Sequence, residues 1–249
     1  MEYEQLLELV KKRRSIRRFT SDPVPDELIR KIIEVARWAP SGFNMQPWEY
    51  VVVTEAGLRD KIVSWITPYW AESVEMETVR EDWQGPKWKL TGLQSAEGDY
   101  TVAPVYIILC GDPRTMAGLP MGVRYASHRT TIIHLSGLAN TFLYMHLAAT
   151  TLGLGSQWIS AIQTPLASCM SKDLLGIPHQ LEVFDMMALG YPAIQARGKF
   201  MRDSEKMVHY NQCKNEDFRT DEEVRDFVRK ARSWNVGTHS RKADQETGD

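Results

Sequence analysis

The sequence predicts a single domain of mixed helices and strands, and three observations carry that reading. Runs of strand length, rich in β-branched and other apolar residues, stand at Glu49–Thr54, Val105–Cys110 and Leu181–Leu189. Outside them apolar residues recur at helical spacing, as at Leu28, Ile29, Ile32, Ile33 and Ala36. One stretch, Ile132 to Leu154, is apolar around most of its circumference and reads as a helix buried in the middle of the fold. No internal repeat, low-complexity tract or domain boundary interrupts the pattern.

In chain order, Leu6, Leu7 and Val10 place a helix over residues 4 to 13, which runs into the basic sequence Lys11-Lys12-Arg13-Arg14-Ser15-Ile16-Arg17-Arg18. Asp22-Pro23-Val24-Pro25 breaks the chain, and Asp26 is placed to cap a second helix that stops near Ala39-Pro40. Ser41 to Pro47 is a loop by composition, Glu49 to Thr54 a buried strand and Gly57 to Ile66 a helix. From Pro68 to Tyr100 no period holds, and tryptophans mix with Glu72, Glu75, Glu77, Glu81 and Asp82.

Val105 to Cys110 is the second strand. The long helix spans residues 128 to 152, with Ile132, Leu135, Ala139, Phe142, Leu143 and Ala149 on one side and Gly153 and Gly155 as its stop. Strands follow at Ser156–Ser160 and Leu181–Leu189, with a short helix Pro165–Leu174 between them and a further strand at Lys206–Tyr210. Thr220 with Glu223 makes a capping box for an amphipathic helix through Trp234. The expected domain covers residues 1–237, with 64–100 as a variable insertion, and the polar residues 238–249 read as a disordered tail.

Of 249 residues, 43% are hydrophobic and 25% charged, an ordinary globular balance that allows a substantial core. A net charge of -2 gives no global electrostatic case for nucleic acid or a membrane surface. His134, Ser136, Asn140 and His146 interrupt the apolar stretch and argue against a lipid-facing span. Cys110, Cys169 and Cys213 form no CxxC pair and follow no secretory apolar region, so a reducing cytoplasm is the expected home.

Several chemical motifs fail. Gly153-Leu154-Gly155 lacks the third glycine of a dinucleotide fingerprint, whose place holds Trp158, and it follows a helix instead of joining a strand to one. No GxxxxGK[ST] loop, HExxH pair, compact histidine cluster or GxSxG elbow occurs, so nucleotide hydrolysis, metal centres and serine hydrolysis lack support.

The basic run is different. Arg13, Arg14 and Arg17 with Ser15 offer planar multi-donor groups and a hydroxyl close together, which suits a phosphate. Taken alone the run reads as well, and more simply, as a solvated patch or a weak nucleic-acid contact.

Read together, Arg13-Arg14-Ser15-Ile16-Arg17, Pro40-Ser41-Gly42-Phe43-Asn44-Met45-Gln46-Pro47-Trp48, Ala103-Pro104, Gly153-Leu154-Gly155-Ser156 and Gly190-Tyr191-Pro192 resemble the nitroreductase family in order and spacing, over residues 5 to 210. The resemblance implies an α+β fold, a central and mostly antiparallel sheet flanked by helices, in an intertwined homodimer. It implies one FMN in each interface cleft, contacted by both subunits. By similarity Arg13, Arg14 and Ser15 lie at the ribityl-phosphate end and Arg17 near the flavin pyrimidine. Pro40, Ser41, Gly42 and Asn44 come from the other subunit, and Ile159 and Ser160 approach flavin N5. Basic residues after Gly190-Tyr191-Pro192 serve the phosphate in this family; here Lys199 and Arg202 occupy those positions, Arg202 being preferred. Gly198, Phe200 and Asp203 stand where prolines are common.

The chemistry agrees with that picture. FMN carries a phosphate dianion, and its reduced ring is anionic at N1, so cations at both ends favour binding and reduction. Arg17 suits the second task. The Ser160 hydroxyl suits N5, although a strand-end hydroxyl satisfying local backbone accounts equally for it.

Residues 64–100 fall where iodotyrosine deiodinase, a dehalogenating relative, carries a lid. Tyr69, Trp70, Trp83 and Trp88 suit an aromatic roof over a flat small-molecule substrate, with Glu72, Arg80 or Lys87 reading its polar groups; packing of a dimer surface explains the same aromatics. The function expected from the resemblance is ping-pong transfer from NADH or NADPH through FMN to a nitroaromatic, quinone or halogenated phenol. Its rivals are a flavin-sequestering protein with a closed cleft and oxygen-dependent flavin chemistry. No nucleic acid, membrane or metal is expected as a partner.

Overall fold

The computed structural model describes residues 2–78, 100–196 and 198–237. The expected tail, most of the expected insertion, and with it Arg80, Trp83, Lys87 and Trp88, lie outside these residues. The chain divides into two compact units, Met1–Trp70 with Ala96–Gln195, and Ala71–Ser95 with Ala196–Asp249.

The first unit is built on a four-stranded sheet in the order β1-β2-β4-β3, with every neighbouring pair antiparallel. The strands are β1 (Trp48–Val53), β2 (Val105–Gly111), β3 (Gly155–Ile159) and β4 (Glu182–Gly190). β2 is apolar at nearly every position because it lies inside the sheet with both faces covered. Val105, Ile107 and Leu109 enter the core cluster that holds Ile32, Leu138 and Phe142, while Tyr106, Ile108 and Cys110 enter the one that holds Ile62, Ile66 and Ile162. The sheet thus separates two cores.

One core is closed by α2 (Asp26–Ala36) and α5 (Ser127–Thr151), the other by the first part of α3 (Ala56–Thr78) and by α6 (Pro165–Leu175). α1 (Tyr3–Lys12) leads into the basic run, and α4 (Met121–Arg124) is a single turn before α5.

Three expectations shift. α3 does not stop at Ile66 but continues through Pro68 to Thr78. A proline inside a helix removes one hydrogen bond, and Ile62 and Ile66, both buried, anchor the turns before it. Asp26 is the first helical residue and Pro25 the cap, so Asp26 serves the helix dipole and not the capping hydrogen bond. On α5, Phe142 and Ala149 are buried as expected, whereas Ile132, Leu135 and Leu143 are exposed at 49%, 44% and 44%.

The second unit contains α7 (Asp221–Gly237), whose capping box forms as the sequence spells it. The Thr220 backbone donates to Glu223 Oε2 at 2.8 Å, and the Glu223 backbone donates to Thr220 Oγ1 at 3.3 Å. Phe200 stacks on Phe227 at 5.4 Å, with the Arg219 guanidinium over the same ring. The strand expected at Lys206–Tyr210 is absent. Met207 N donates to Ser204 O to close a turn, and Met207, Val208 and Tyr210 stay exposed without a strand beside them.

Candidate functional site

The basic run leaves α1 and joins the sheet. Ser15 bridges Ser156 at the start of β3, Ile16 N donating to Ser156 O at 2.9 Å. Phe19 bridges Pro192 beyond the end of β4, and Ala193 N donates to Arg18 O at 2.9 Å. Arg13, Arg14, Ser15 and Arg17 are therefore held along one line by backbone bonds at each end, all of them half-buried. Gly155 is a glycine because Ile16 lies against it: a Cβ there would come within 2.8 Å of Ile16 Cγ2.

Electrostatically this line suits an anion. Burial, and then the charge of Arg14, lowers the pKa of Arg13. Partial burial beside a second positive charge disfavours the Arg13 charge, and a phosphate at this place would reverse that penalty.

The loop Pro40 to Pro47 forms a second feature. Phe43, Asn44 and Gln46 all adopt positive φ, at 54°, 54° and 46°. Three non-glycine residues in the left-handed region within one loop store strain of the kind concentrated at ligand clamps. The loop is held by Gln46 N donating to Ser41 Oγ, by Asn140 Nδ2 donating to Pro40 O at 3.0 Å, and by Asp112 N donating to Pro47 O. Its anchors on α5 are near Gly137 and Asn140, whereas the arginine run meets α5 near His146, about two turns further along. Within one chain Ser41, Gly42 and Asn44 thus stand on a different stretch of α5 from Arg13 and Ser15.

β3 ends in a 3-10 turn, Ser160–Gln163. The Ile159 side chain is buried in the core, so only its backbone is available to a ligand. Ser160 is exposed. Behind it stands Asp185, a residue the sequence reading passed over. It lies on β4 next to a bulge at Phe184, created where Leu109 pairs with Asp185 and Cys110 with Val183. Asp185 Oδ2 accepts from Trp158 Nε1 at 2.6 Å and Oδ1 from Gln163 Nε2 at 2.9 Å. Burial nonetheless pushes its pKa up to about 6.

Trp158 stacks on His146 with an interplanar angle of 12°, and His146 Nδ1 shares a 2.7 Å hydrogen bond with Ser156 Oγ. Burial, and then the charge of Arg13, lowers the His146 pKa to about 3, so its ring is neutral. A continuous row, Asp185, Trp158, His146 and Ser156, therefore runs along β3 from the Ser160 turn to the seat of the arginine run. One sign of it was present in the sequence: Asp185 is the lone acid inside the apolar run Val183 to Leu189.

Lys199 and Arg202 belong to the second unit; Lys199 is exposed, and Arg202 donates to Lys206 O at 3.4 Å. Tyr69 and Trp70 lie on α3, 45% and 38% exposed and edge to face at 6.4 Å, with Glu72 exposed one turn on. Among the described residues no group of His, Cys, Asp or Glu is arranged to hold a metal, and no helix is long and apolar enough to cross a membrane.

Comparison with known proteins agrees with this architecture. The family model described as the nitroreductase family matches residues 10–191. A protein of Archaeoglobus fulgidus, provisionally named NADH dehydrogenase/NAD(P)H nitroreductase, is 28% identical over 191 residues, covering 76% of this chain and 86% of its own. The iodotyrosine deiodinase of Drosophila melanogaster is 33% identical over 199 residues, covering 76% of this chain and 63% of its own. The crystal structure of an iodotyrosine deiodinase bound to FMN and 3-iodo-L-tyrosine shares the fold, with a TM-score of 0.64 and 23% identity over 84% of this chain and 100% of that one.

Proposed function

This chain belongs to the nitroreductase family, and from that membership we propose an FMN-dependent oxidoreductase that uses NADH or NADPH to reduce a small aromatic acceptor, a nitroaromatic, quinone or halogenated phenol. The observation that carries the reading is the arginine run, tied by backbone bonds to β3 and to the segment after β4, with the charge of Arg14 near enough to disfavour that of half-buried Arg13. When bound, FMN would supply the chemistry for hydride transfer from the nicotinamide and electron transfer to the acceptor. The relatives support it through their names: one carries NAD(P)H nitroreductase in its name, and the deiodinase structure holds FMN.

Arg13, Arg14 and Ser15 hold the phosphate, Arg17 stabilises negative charge on the flavin pyrimidine, and Ser160 with the Ile159 backbone meets N5. Pro40, Ser41, Gly42 and Asn44 complete the cleft of the second subunit in a homodimer. The exposed Ile132, Leu135 and Leu143 of α5 support that assembly, together with Trp38 and Phe43, 75% and 57% exposed. Tyr69, Trp70 and Glu72, with Arg80, Trp83, Lys87 and Trp88, take the substrate, and the free thiols Cys110, Cys169 and Cys213 suit a cytoplasmic enzyme.

The test is stopped-flow mixing of the FMN-loaded protein with NADH and with NADPH, then with a quinone. Bleaching of the flavin by either nucleotide and its recovery with the quinone are expected. No reduction by either nucleotide ends the reductase reading in favour of a sequestering or oxygen-dependent role.

A further inference from the structure

We infer that Asp185 is a positioning residue for the cofactor site: its two carboxylate oxygens grip Trp158 and Gln163, on either side of Ile159 and Ser160, and so fix the segment that meets the flavin. The inference rests on the proposed reading that Ile159 and Ser160 lie at flavin N5. β3 pairs with β4 as far as Ile159 with Met186, and the chain then leaves the ladder for the 3-10 turn. Side chains replace the next rung. Trp158 Nε1 donates to Asp185 Oδ2 at 2.6 Å, and Gln163 Nε2 donates to Oδ1 at 2.9 Å and also to Phe184 O. Both grips start from β4, an inner strand of the sheet, and Asp185 itself is only 3% exposed. A segment that must offer its backbone and a hydroxyl to one flavin atom needs its ends locked by the groups around it, and these two bonds lock them.

Only a carboxylate can hold both ends. Ionised, Asp185 is acceptor-only and has an oxygen for each donor. An amide in its place offers one oxygen and sets its nitrogen against the other donor. Trp158 Nε1 can only donate. Turning the Gln163 amide over to accept would set its oxygen against Phe184 O. Asp185→Asn therefore lets go of one end and removes the charge assistance from the other. Gln163→Ala releases one end from outside: its side chain is exposed, and the bond between Trp158 and Asp185 is left in place.

In the apoprotein both variants loosen the turn. Thr164 N, which closes it on Ala161 O at 3.2 Å, exchanges its proton at least about tenfold faster than in wild type, the factor set by one lost charge-assisted hydrogen bond. In Gln163→Ala the amides of β2 keep their rates. The indole N–H resonance of Trp158, assigned with Trp158→Phe, moves upfield in Asp185→Asn. Where Asp185→Asn fails to fold, Gln163→Ala carries the test alone. Thr164 exchange that Gln163→Ala leaves unchanged, or speeds no more than that of β2, overturns the grip.

With nitrogen-labelled FMN bound, the N5 resonance moves downfield in both variants as its hydrogen bond weakens, while N1 and N3 stay in place. A role in stability alone moves none of the three. FMN content of the wild-type protein is measured first. A wild type that takes up no FMN ends the functional reading, whereas a flavin-loaded protein whose N5 resonance neither variant moves overturns the positioning role by itself.

Discussion

At Arg13 the charge is held against two costs, burial and the neighbouring Arg14. A phosphate that meets this pair gains charge-assisted hydrogen bonds of roughly 1.5 to 3 kcal/mol each. Arg13→Ala is therefore expected to weaken FMN binding by about ten- to a hundredfold, read by fluorescence titration of the apoprotein. His146 gives a stability signature. Its folded pKa of about 3 lies below the unfolded value of 6.5, so the unfolded chain binds more protons at intermediate pH. The stability is fully present above pH 6.5 and is lost as pH falls toward 3. His146→Phe keeps an aromatic ring against Trp158 and cannot titrate. Its stability relative to wild type should rise by about 1.4 kcal/mol per pH unit below 6.5, read as urea midpoints between pH 7 and 4.

Among the elements, α5 does the most and shows most plainly what a periodicity leaves open. Its buried residues Leu138, Phe142, Met145 and Ala149 cover the sheet, His146 and Asn140 hold the two halves of the candidate site, and a third face carries exposed Ile132, Leu135 and Leu143. A helix apolar all round belongs in an interior, and in the homodimer proposed above a second copy of the chain would complete that interior. Leu135→Glu is expected to leave the monomer folded and shift the protein toward monomer in sedimentation velocity. A dimer of unchanged affinity speaks against α5 as its seam. α7 offers a local counterpart: Thr220→Ala removes one side of the capping box and lowers stability by about 1 kcal/mol, read by denaturant unfolding.

For the whole molecule, the proposed function, in which each flavin cleft serves two substrates in turn, predicts ping-pong kinetics. Double-reciprocal plots against NAD(P)H at several acceptor concentrations should be parallel, and intersecting lines reject the shared cleft. Much of the architecture was legible in advance. Val105–Cys110 and Leu181–Leu189 read as strands from their apolar and β-branched content and are strands in the structure, and Thr220 with Glu223 announced a helix start that the structure contains. Pro68 and the strand expected at Lys206–Tyr210 were misleading. A proline weakens a helix without ending it when earlier turns are buried, and a short run of strand-forming residues makes a strand only where an edge is there to pair with. Of the site, the sequence by itself determined the residue types that suit a phosphate and their place after α1, since charge and donor geometry belong to the side chains themselves. Only the tertiary structure decided that Ser15 lies along Ser156, that the loop after Pro40 stands strained, and that Asp185 is buried behind Ser160. Those are relations between residues far apart in the chain, set by strand register and by the bulge at Phe184, and no local pattern encodes them.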